Sequence, residues 1–274
     1  MAGTGKLGRL ERDLKRLGSV LVAYSGGVDS TFLLKAAHKA LGDRVLAVTA
    51  LSETYTRDEA DRAGRLASAM GVRWTLIRTR ELRDPRFRRN PPDRCYYCKS
   101  ELFGRLRRLA AKERLAAVVD GSNADDLKDY RPGARAKEAH GVRSPLQEAG
   151  LTKRAIRRYS RQWGLPTWNA PALACLASRI PYRSGITAAR LRRIERAEKK
   201  LRERFGITGN LRVRDLGGSA RIEVDKAQIR RFDPAAVTAL LGPLGYKEAV
   251  IDPRGYRMGS LNESLSRRRR ARGK

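Results

Sequence analysis

Short strand-like runs alternating with stretches of helical periodicity organise the first half of the chain. Residues 19–24 (SVLVAY), 45–50 (VLAVTA), 73–78 (RWTLIR) and 116–120 (AAVVD) are too short for helices and mostly too apolar for surface loops. Such runs predict buried strands. Between them, residues 30–41 place Phe32, Leu33, Leu34 and Ala37 on one helical face, and residues 56–70 carry acids in their early turns. Helices are also predicted over the N-terminal amphipathic segment, near 97–113, and over 152–162 with Thr152 as the cap. Strand alternating with helix implies an α/β fold, a doubly wound parallel sheet that binds ligands beyond the carboxyl ends of its strands.

The texture changes further along. Residues 164–183 are irregular and contain Pro166, Pro171 and Pro181. From Thr187 a strongly charged helix runs to about Phe205. The segments LRVRDL, ARIEVD, a helix over 234–241 and YKEAVID follow. Strand, strand, helix, strand predicts a smaller C-terminal α+β domain. The expected organisation is a nucleotide-binding domain over 1–180, a small substrate or oligomerisation domain over 181–262, and a disordered basic tail over 263–274.

Charge changes the picture more than composition does. A hydrophobic fraction of 41% is ample for a core, whereas 60 Lys and Arg against 29 Asp and Glu leave a net charge of +31. That surplus favours anionic partners: nucleotides, phosphorylated small molecules or RNA. Its even spread also fits a generally basic surface. No apolar run approaches the roughly 20 residues of a membrane span, and the N-terminus lacks a signal-peptide core. A cytoplasmic protein without membrane association is expected. Three cysteines, Cys95, Cys98 and Cys175, are too few and too odd for a disulfide framework.

The chemistry begins at Ser25-Gly26-Gly27-Val28-Asp29-Ser30, between a predicted buried strand and a helix. Two glycines let the backbone approach a phosphate, and the helix N-terminus offers free amides. Ser25 and Ser30 supply hydroxyls, and Asp29 can hold Mg²⁺. An ordinary glycine turn is the bland alternative. Lysine is missing from the position it holds in a Walker loop. The segment resembles instead the loop of pyrophosphate-loop ATPases, which cleave ATP between the α and β phosphates. That resemblance implies that Ala50 to Ser52 border the adenine. It also brings Asn123, Asp125 and Asp126, after the fourth strand, into a Mg²⁺–phosphate site, although Asx-rich turns also simply start helices.

Cys95-Tyr96-Tyr97-Cys98 is ambiguous between a redox pair, half a zinc site and half an iron–sulfur site. With Cys175, the three thiolates could bind a 4Fe–4S cluster, leaving one iron open to a ligand such as sulfide. Alternatively Cys175 acts alone as nucleophile or sulfur donor, or all three pack as inert thiols. His38 and His140 are the only imidazoles, and His38 reads as structural.

The ordered stretches SGGVDS, NPPDRCYYCK, GSNADDLKDYRPG, GVRSPLQEAGLTK, CLASRIPY, LRVRDLGGSARIEVD and GYRMGSLNE cover nearly the whole chain. Together they resemble the LarE family of ATP-dependent sacrificial sulfur transferases. The resemblance implies a pyridinium dicarboxylate mononucleotide as substrate, thiolated on the way to a nickel-pincer cofactor. ATP adenylates a carboxylate, and a sulfur nucleophile displaces AMP. In single-cysteine members the residue matching Cys175 surrenders its sulfur and remains as dehydroalanine. Members with the additional C-x-x-C are similar to cluster proteins, so this cysteine set points to a 4Fe–4S cluster on Cys95, Cys98 and Cys175. Arg212 and Arg214 alternate along one strand and share a face. By resemblance they fork onto the substrate phosphate, with Ser178 and Arg179 assisting. A homo-oligomer is implied as well.

Two positions depart from the family pattern: Trp168-Asn169-Ala170-Pro171 replaces Trp-Asp-Lys-Pro, and Arg183 stands where glycine is expected after Ile-Pro-Tyr. The rival reading is a tRNA thiolation enzyme with the same loop. Against it, no basic module interleaved with aromatics is recognisable along the sequence. An amidotransferase-type synthetase leaves the cysteines unexplained, and a nonenzymatic nucleotide sensor would not need Asp29 and Ser30.

Overall fold

The computed structural model describes residues 5–128, 133–171 and 173–263. The basic tail expected over 263–274 lies, from 264 onward, outside the described residues. Clustering of the chain gives two compact units, one of residues 1–87 with 93–173 and one of 88–92 with 174–274.

The first unit is built on β1 (Val20–Ala23), β2 (Val45–Leu51), β3 (Arg73–Arg78) and β4 (Ala117–Asp120). All pair in parallel in the order β3-β2-β1-β4. Its helices are α1 (Lys6–Leu17), α2 (Val28–Leu41), α3 (Arg57–Ala69), the short α4 (Pro85–Arg88) at its edge, α5 (Arg94–Lys112), α6 (Gly133–Ala139), α7 (Pro145–Glu148) and α8 (Lys153–Gln162).

Alternation along the strands shows why the sheet needs cover on both faces. Val20, Val22, Val45, Ala47 and Val119 join a core with Leu10, Leu14, Phe32, Leu33 and Ile156. Their neighbours Leu21, Leu46, Val48 and Val118 join a separate core with Phe103, Leu106 and Ala136. Helices α1, α2, α3 and α8 therefore cover one face, while α5 and α6 cover the other. The chain winds outward from β1 to β3, then returns to place β4 on β1's other side. The doubly wound expectation is met, and its switch point lies between β1 and β4.

Caps follow the sequence. Thr56 and Glu59 form a reciprocal capping box on α3, and Thr152 Oγ1 accepts from the Ala155 amide on α8. Among the described residues no helix is long and apolar enough to cross a membrane.

The second unit contains α9 (Ala188–Phe205), β5 (Leu211–Asp215), β6 (Ser219–Val224), α10 (Pro234–Leu241) and β7 (Glu248–Ile251). Strands β5 and β6 are antiparallel, and β6 and β7 are parallel. Leu211, Val213, Ile222, Val224 and Ala249 meet Ala197, Leu201, Val237 and Leu241 in its core.

Candidate active site

β1 delivers the chain into the phosphate loop at the switch point. Gly26 adopts φ +70°, and a Cβ there would sit 3.0 Å from the Ala63 methyl. Only glycine satisfies both conditions without strain. Gly27 caps α2, whose first amides open onto the loop. The hydroxyls of Ser25 and Ser30 lie 3.1 Å apart, and Ser25 Oγ accepts from the Gly27 amide at 3.3 Å. Ser25 is exposed and Ser30 buried, so the loop presents a graded set of donors.

The loop after β4 closes against it. A Cβ on Gly121 would stand 2.9 Å from the Ser30 nitrogen, so the two loops touch through a glycine. Asn123 Oδ1 accepts from the Asp125 amide at 2.9 Å, and Asp126 Oδ2 from the Asn123 amide at 3.0 Å. Asp125 spends Oδ2 on the Lys153 amide at 2.8 Å. These bonds shape the loop, and Asn123 and Asp126 also reach Asp29, Asn123 through a side-chain hydrogen bond and Asp126 through its charge.

Lys153, which periodicity and motif reading did not single out, completes this group. Its Nζ donates to Asp29 Oδ2 at 2.6 Å. The Asn123 side chain lies beside the same carboxylate. Burial pushes the Asp29 carboxyl above its ordinary value, against the pull of Lys153, and the Asp126 charge adds to the rise. A signal was present in the sequence, since a lysine directly after a helix cap at a sheet's ligand edge is well placed for phosphate.

At the end of β2, Ala50 is half-buried. Ser52 Oγ donates to Glu81 Oε1 at 2.5 Å, and Thr54 Oγ1 to the same oxygen at 2.7 Å. Glu81 thus fixes the turn that would border an adenine.

Cys95 and Cys98 stand in the first helical turn of α5, both half-buried. Cys175, also half-buried, caps the 3-10 turn Leu176–Arg179 in the second unit. None of the three is in a disulfide. Among the described residues no group of three or more Cys, His, Asp or Glu side chains is placed to share a metal ion. Cys95 and Cys98 belong to the first unit and Cys175 to the second.

The arginines of the second unit differ from expectation. Arg179 is 4% exposed and holds Glu198 through Nε at 2.8 Å and Nη2 at 2.9 Å. Its Nη1 donates to the carbonyls of Ala174 at 2.6 Å and Cys175 at 3.1 Å, and to Ser178 Oγ at 3.1 Å. This guanidinium braces the peptide units around Cys175 instead of standing open to a phosphate. Arg214 is similarly engaged: Nη2 contacts Glu223 and Ser260 at 2.7 Å each, and Nη1 the Ser178 carbonyl at 2.7 Å. Arg212 shares its face, as the alternation predicts, but β5 is buried throughout, so this is no exposed basic strand. Arg212 lies over the Tyr256 ring at 5.3 Å. Desolvation, reinforced by the Arg179 charge, brings its pKa down to about 10.

A further clamp comes from Asn90, fully buried at φ +54°. Its Nδ2 donates to the carbonyls of Ile180, Pro181 and Ser184 at 3.3, 2.8 and 3.0 Å. Arg183, where the family pattern has glycine, adopts φ +68°, the left-handed region that glycine favours. Glycine suits the position because the backbone turns left there.

A parallel sheet with Ser-Gly-Gly-Val-Asp-Ser at its switch point defines a nucleotide-using enzyme of the pyrophosphate-loop class. A component of the glutamine-hydrolyzing GMP synthase of Archaeoglobus fulgidus is 26% identical over 166 residues, 57% of this chain and 54% of its own. Pyridinium-3,5-bisthiocarboxylic acid mononucleotide synthase of Lactiplantibacillus plantarum is 39% identical over 257 residues, 93% of this chain and 92% of its own. An uncharacterized protein of Synechocystis sp. is 40% identical over 269 residues, 96% and 98% of the two chains. No family model matches. The chain belongs to the LarE family of ATP-dependent sulfur transferases.

Proposed function

We propose that this enzyme adenylates a carboxylate of a pyridinium dicarboxylate mononucleotide with ATP and converts it to a thiocarboxylate, a step toward a nickel-pincer cofactor. The observation that carries the reading is 39% identity over 93% of the chain to the Lactiplantibacillus synthase, joined to a phosphate loop in which Lys153 holds Asp29 at 2.6 Å.

Gly26, Gly27 and the α2 amides would cradle the ATP phosphates, with Ser25 and Ser30 donating hydroxyls and Ala50 and Ser52 beside the base. Mg²⁺ fits the site because Asp29 and Asp126 stand close enough for each charge to raise the cost of the other; they would hold it, and it would neutralise phosphate charge. Lys153, now on Asp29, would move its ammonium toward the phosphates. A substrate carboxylate oxygen attacks the α-phosphorus and PPi leaves, giving an acyl adenylate.

The Cys175 thiolate then attacks the acyl carbon, and AMP departs with the bonding electrons. Loss of the Cys175 Cα proton breaks Cβ–Sγ, leaving dehydroalanine on the chain and sulfur on the product. Per sulfur, one ATP becomes AMP and PPi. Arg179 positions Cys175 by holding its carbonyl. Arg212, buried with Arg179 and Arg214 near it, would fork onto the substrate phosphate, with Arg214 and Ser178 beside it. As in the family, a homo-oligomer is proposed.

The test is incubation with ATP, Mg²⁺ and the biscarboxylate mononucleotide, followed by mass analysis of product and protein. A thiolated product and a chain lighter by the elements of hydrogen sulfide at Cys175 are expected. A thiolated product from an unaltered, iron-loaded chain would assign the sulfur to a cluster on Cys95, Cys98 and Cys175. PPi release driven by tRNA and not by the mononucleotide would overturn the substrate.

A further inference from the structure

A second concentration of charge stands on the first unit. β3 ends in Arg78, Arg80 leads the following 3-10 turn, and α5 carries Arg105 and Arg108 one turn apart. With Ile77 they line a cavity of about 340 Å³. Arg105 is paired with Glu101 at 2.6 Å. Arg78, Arg80 and Arg108 are exposed, and among the described residues none of their side chains makes an ion pair. A cavity of about 540 Å³ shares Arg80 and Arg105 and adds Tyr96 and Tyr97. Those rings meet edge to face at 5.5 Å. Guanidinium groups already lie on both, Arg86 at 4.9 Å from Tyr97 and Arg135 at 5.1 Å from Tyr96.

Glu81, Asp84 and Glu101 also line the larger cavity, yet the exposed arginines remain in excess and favour an anion that joins them. The nearby carboxylates do not serve: Glu81 takes the hydroxyls of Ser52 and Thr54, Asp84 takes Arg86, and Glu101 takes Arg105. One small anion would occupy one guanidinium fork, whereas an extended polyanion meets all four arginines and passes beside the partly exposed rings of Tyr96 and Tyr97. A charged track running on to aromatic rings fits a chain of phosphates with flat bases at intervals. We propose that this groove binds single-stranded nucleic acid, its phosphates on Arg78, Arg80, Arg105 and Arg108 and a base against Tyr96 and Tyr97. The arginines come from three elements scattered along the sequence, so the module exists only after folding. The groove is a docking surface that leaves the sulfur-transfer substrate unchanged, and the inference does not depend on that substrate.

The test is fluorescence anisotropy of the full chain with a labelled oligouridylate of about 12 nucleotides, titrated across salt. The variant R78Q/R80Q/R108Q should bind at least about tenfold more weakly and flatten the salt dependence by about two in log–log slope. A control with equally exposed arginines exchanged, R12Q/R65Q/R158Q, should lose less than about twofold. Tyr97→Leu should weaken binding about tenfold with the slope unchanged, as loss of stacking requires. Both triple variants should keep the wild-type melting temperature and ATP-dependent PPi release. Equal losses in the two triple variants would overturn the proposal in favour of diffuse charge. Equal binding of a duplex, or equal competition by inorganic polyphosphate, would overturn it in favour of a bare polyanion site.

Discussion

In the first unit Asp29 is half-buried, with one oxygen held by Lys153 at 2.6 Å and the Asn123 side chain beside the carboxylate. In the second unit Glu198 takes two N–H groups from Arg179 and the main-chain N–H of Val213 at 3.0 Å. Both are carboxylates facing cations, Asp29 half-buried and Glu198 buried, yet they behave oppositely. Burial wins at Asp29 and lifts its carboxyl. At Glu198 burial also pushes upward, but the Arg179 guanidinium, aided by Arg212, outweighs it and holds the carboxyl below its ordinary range. The saturated pair at Glu198 shapes the chain, whereas Asp29, in the phosphate loop, is proposed to serve a ligand. The two arginines differ as well: Arg179 braces the turn at Cys175 and pairs with Glu198, whereas Arg212 donates to the Leu211 carbonyl and lies over the Tyr256 ring.

The largest expected effect tests the braced pair. Arg179→Met strands a buried Glu198 and should cost about 3–5 kcal/mol in chemical denaturation. Exchanging both partners for apolar residues of similar size should cost much less; equal losses would mean that the pair itself stabilises. Next, Asp29→Asn should reduce ATP-dependent PPi release about 10²-fold or more while the fold survives. Unchanged release would remove Asp29 from the nucleotide site.

Acid titration sharpens the contrast in sign. Glu198 and Asp215 have depressed values, the latter because Arg190 and Arg193 overcome its burial. Their stabilisation is present above the unfolded carboxylate range and is lost as pH falls through their folded values. Asp29 runs the other way: its contribution is complete below its unfolded value and disappears as pH rises through the raised folded value. Asp29→Asn should therefore melt higher than the parent near neutral pH and equally in acid, as read by calorimetry. The smallest effect is at the left-handed turn, where Arg183→Gly should stabilise by about 1 kcal/mol, measured in urea.

Much of this was legible beforehand, for identifiable reasons. Buried parallel strands must be continuously apolar, so β1, β2 and β4 announce themselves. Gly26 could be located because a left-handed turn pressed against Ala63 admits nothing larger. The four-residue helices Pro85–Arg88 and Pro145–Glu148 span too little chain for a period to show. Lys153 meets Asp29 across 124 positions, and Asn90 reaches its carbonyls across 90, 91 and 94. Charge was visible at Arg179 and Arg214, but not which acids would claim it. At Arg179 it is Glu198 that does so, together with the carbonyls of Ala174 and Cys175.

The hydrogen bonds that secure the turn at Cys175 run through its carbonyl, to the Ser178 amide and the Arg179 guanidinium. Sulfur loss would flatten the side chain without untying either bond. The spent polypeptide would then persist as a well-folded, inert copy able to occupy ATP and substrate. A cell relying on one-shot chains would face competition from its own exhausted enzyme, and proteolytic clearance would govern output as much as synthesis does.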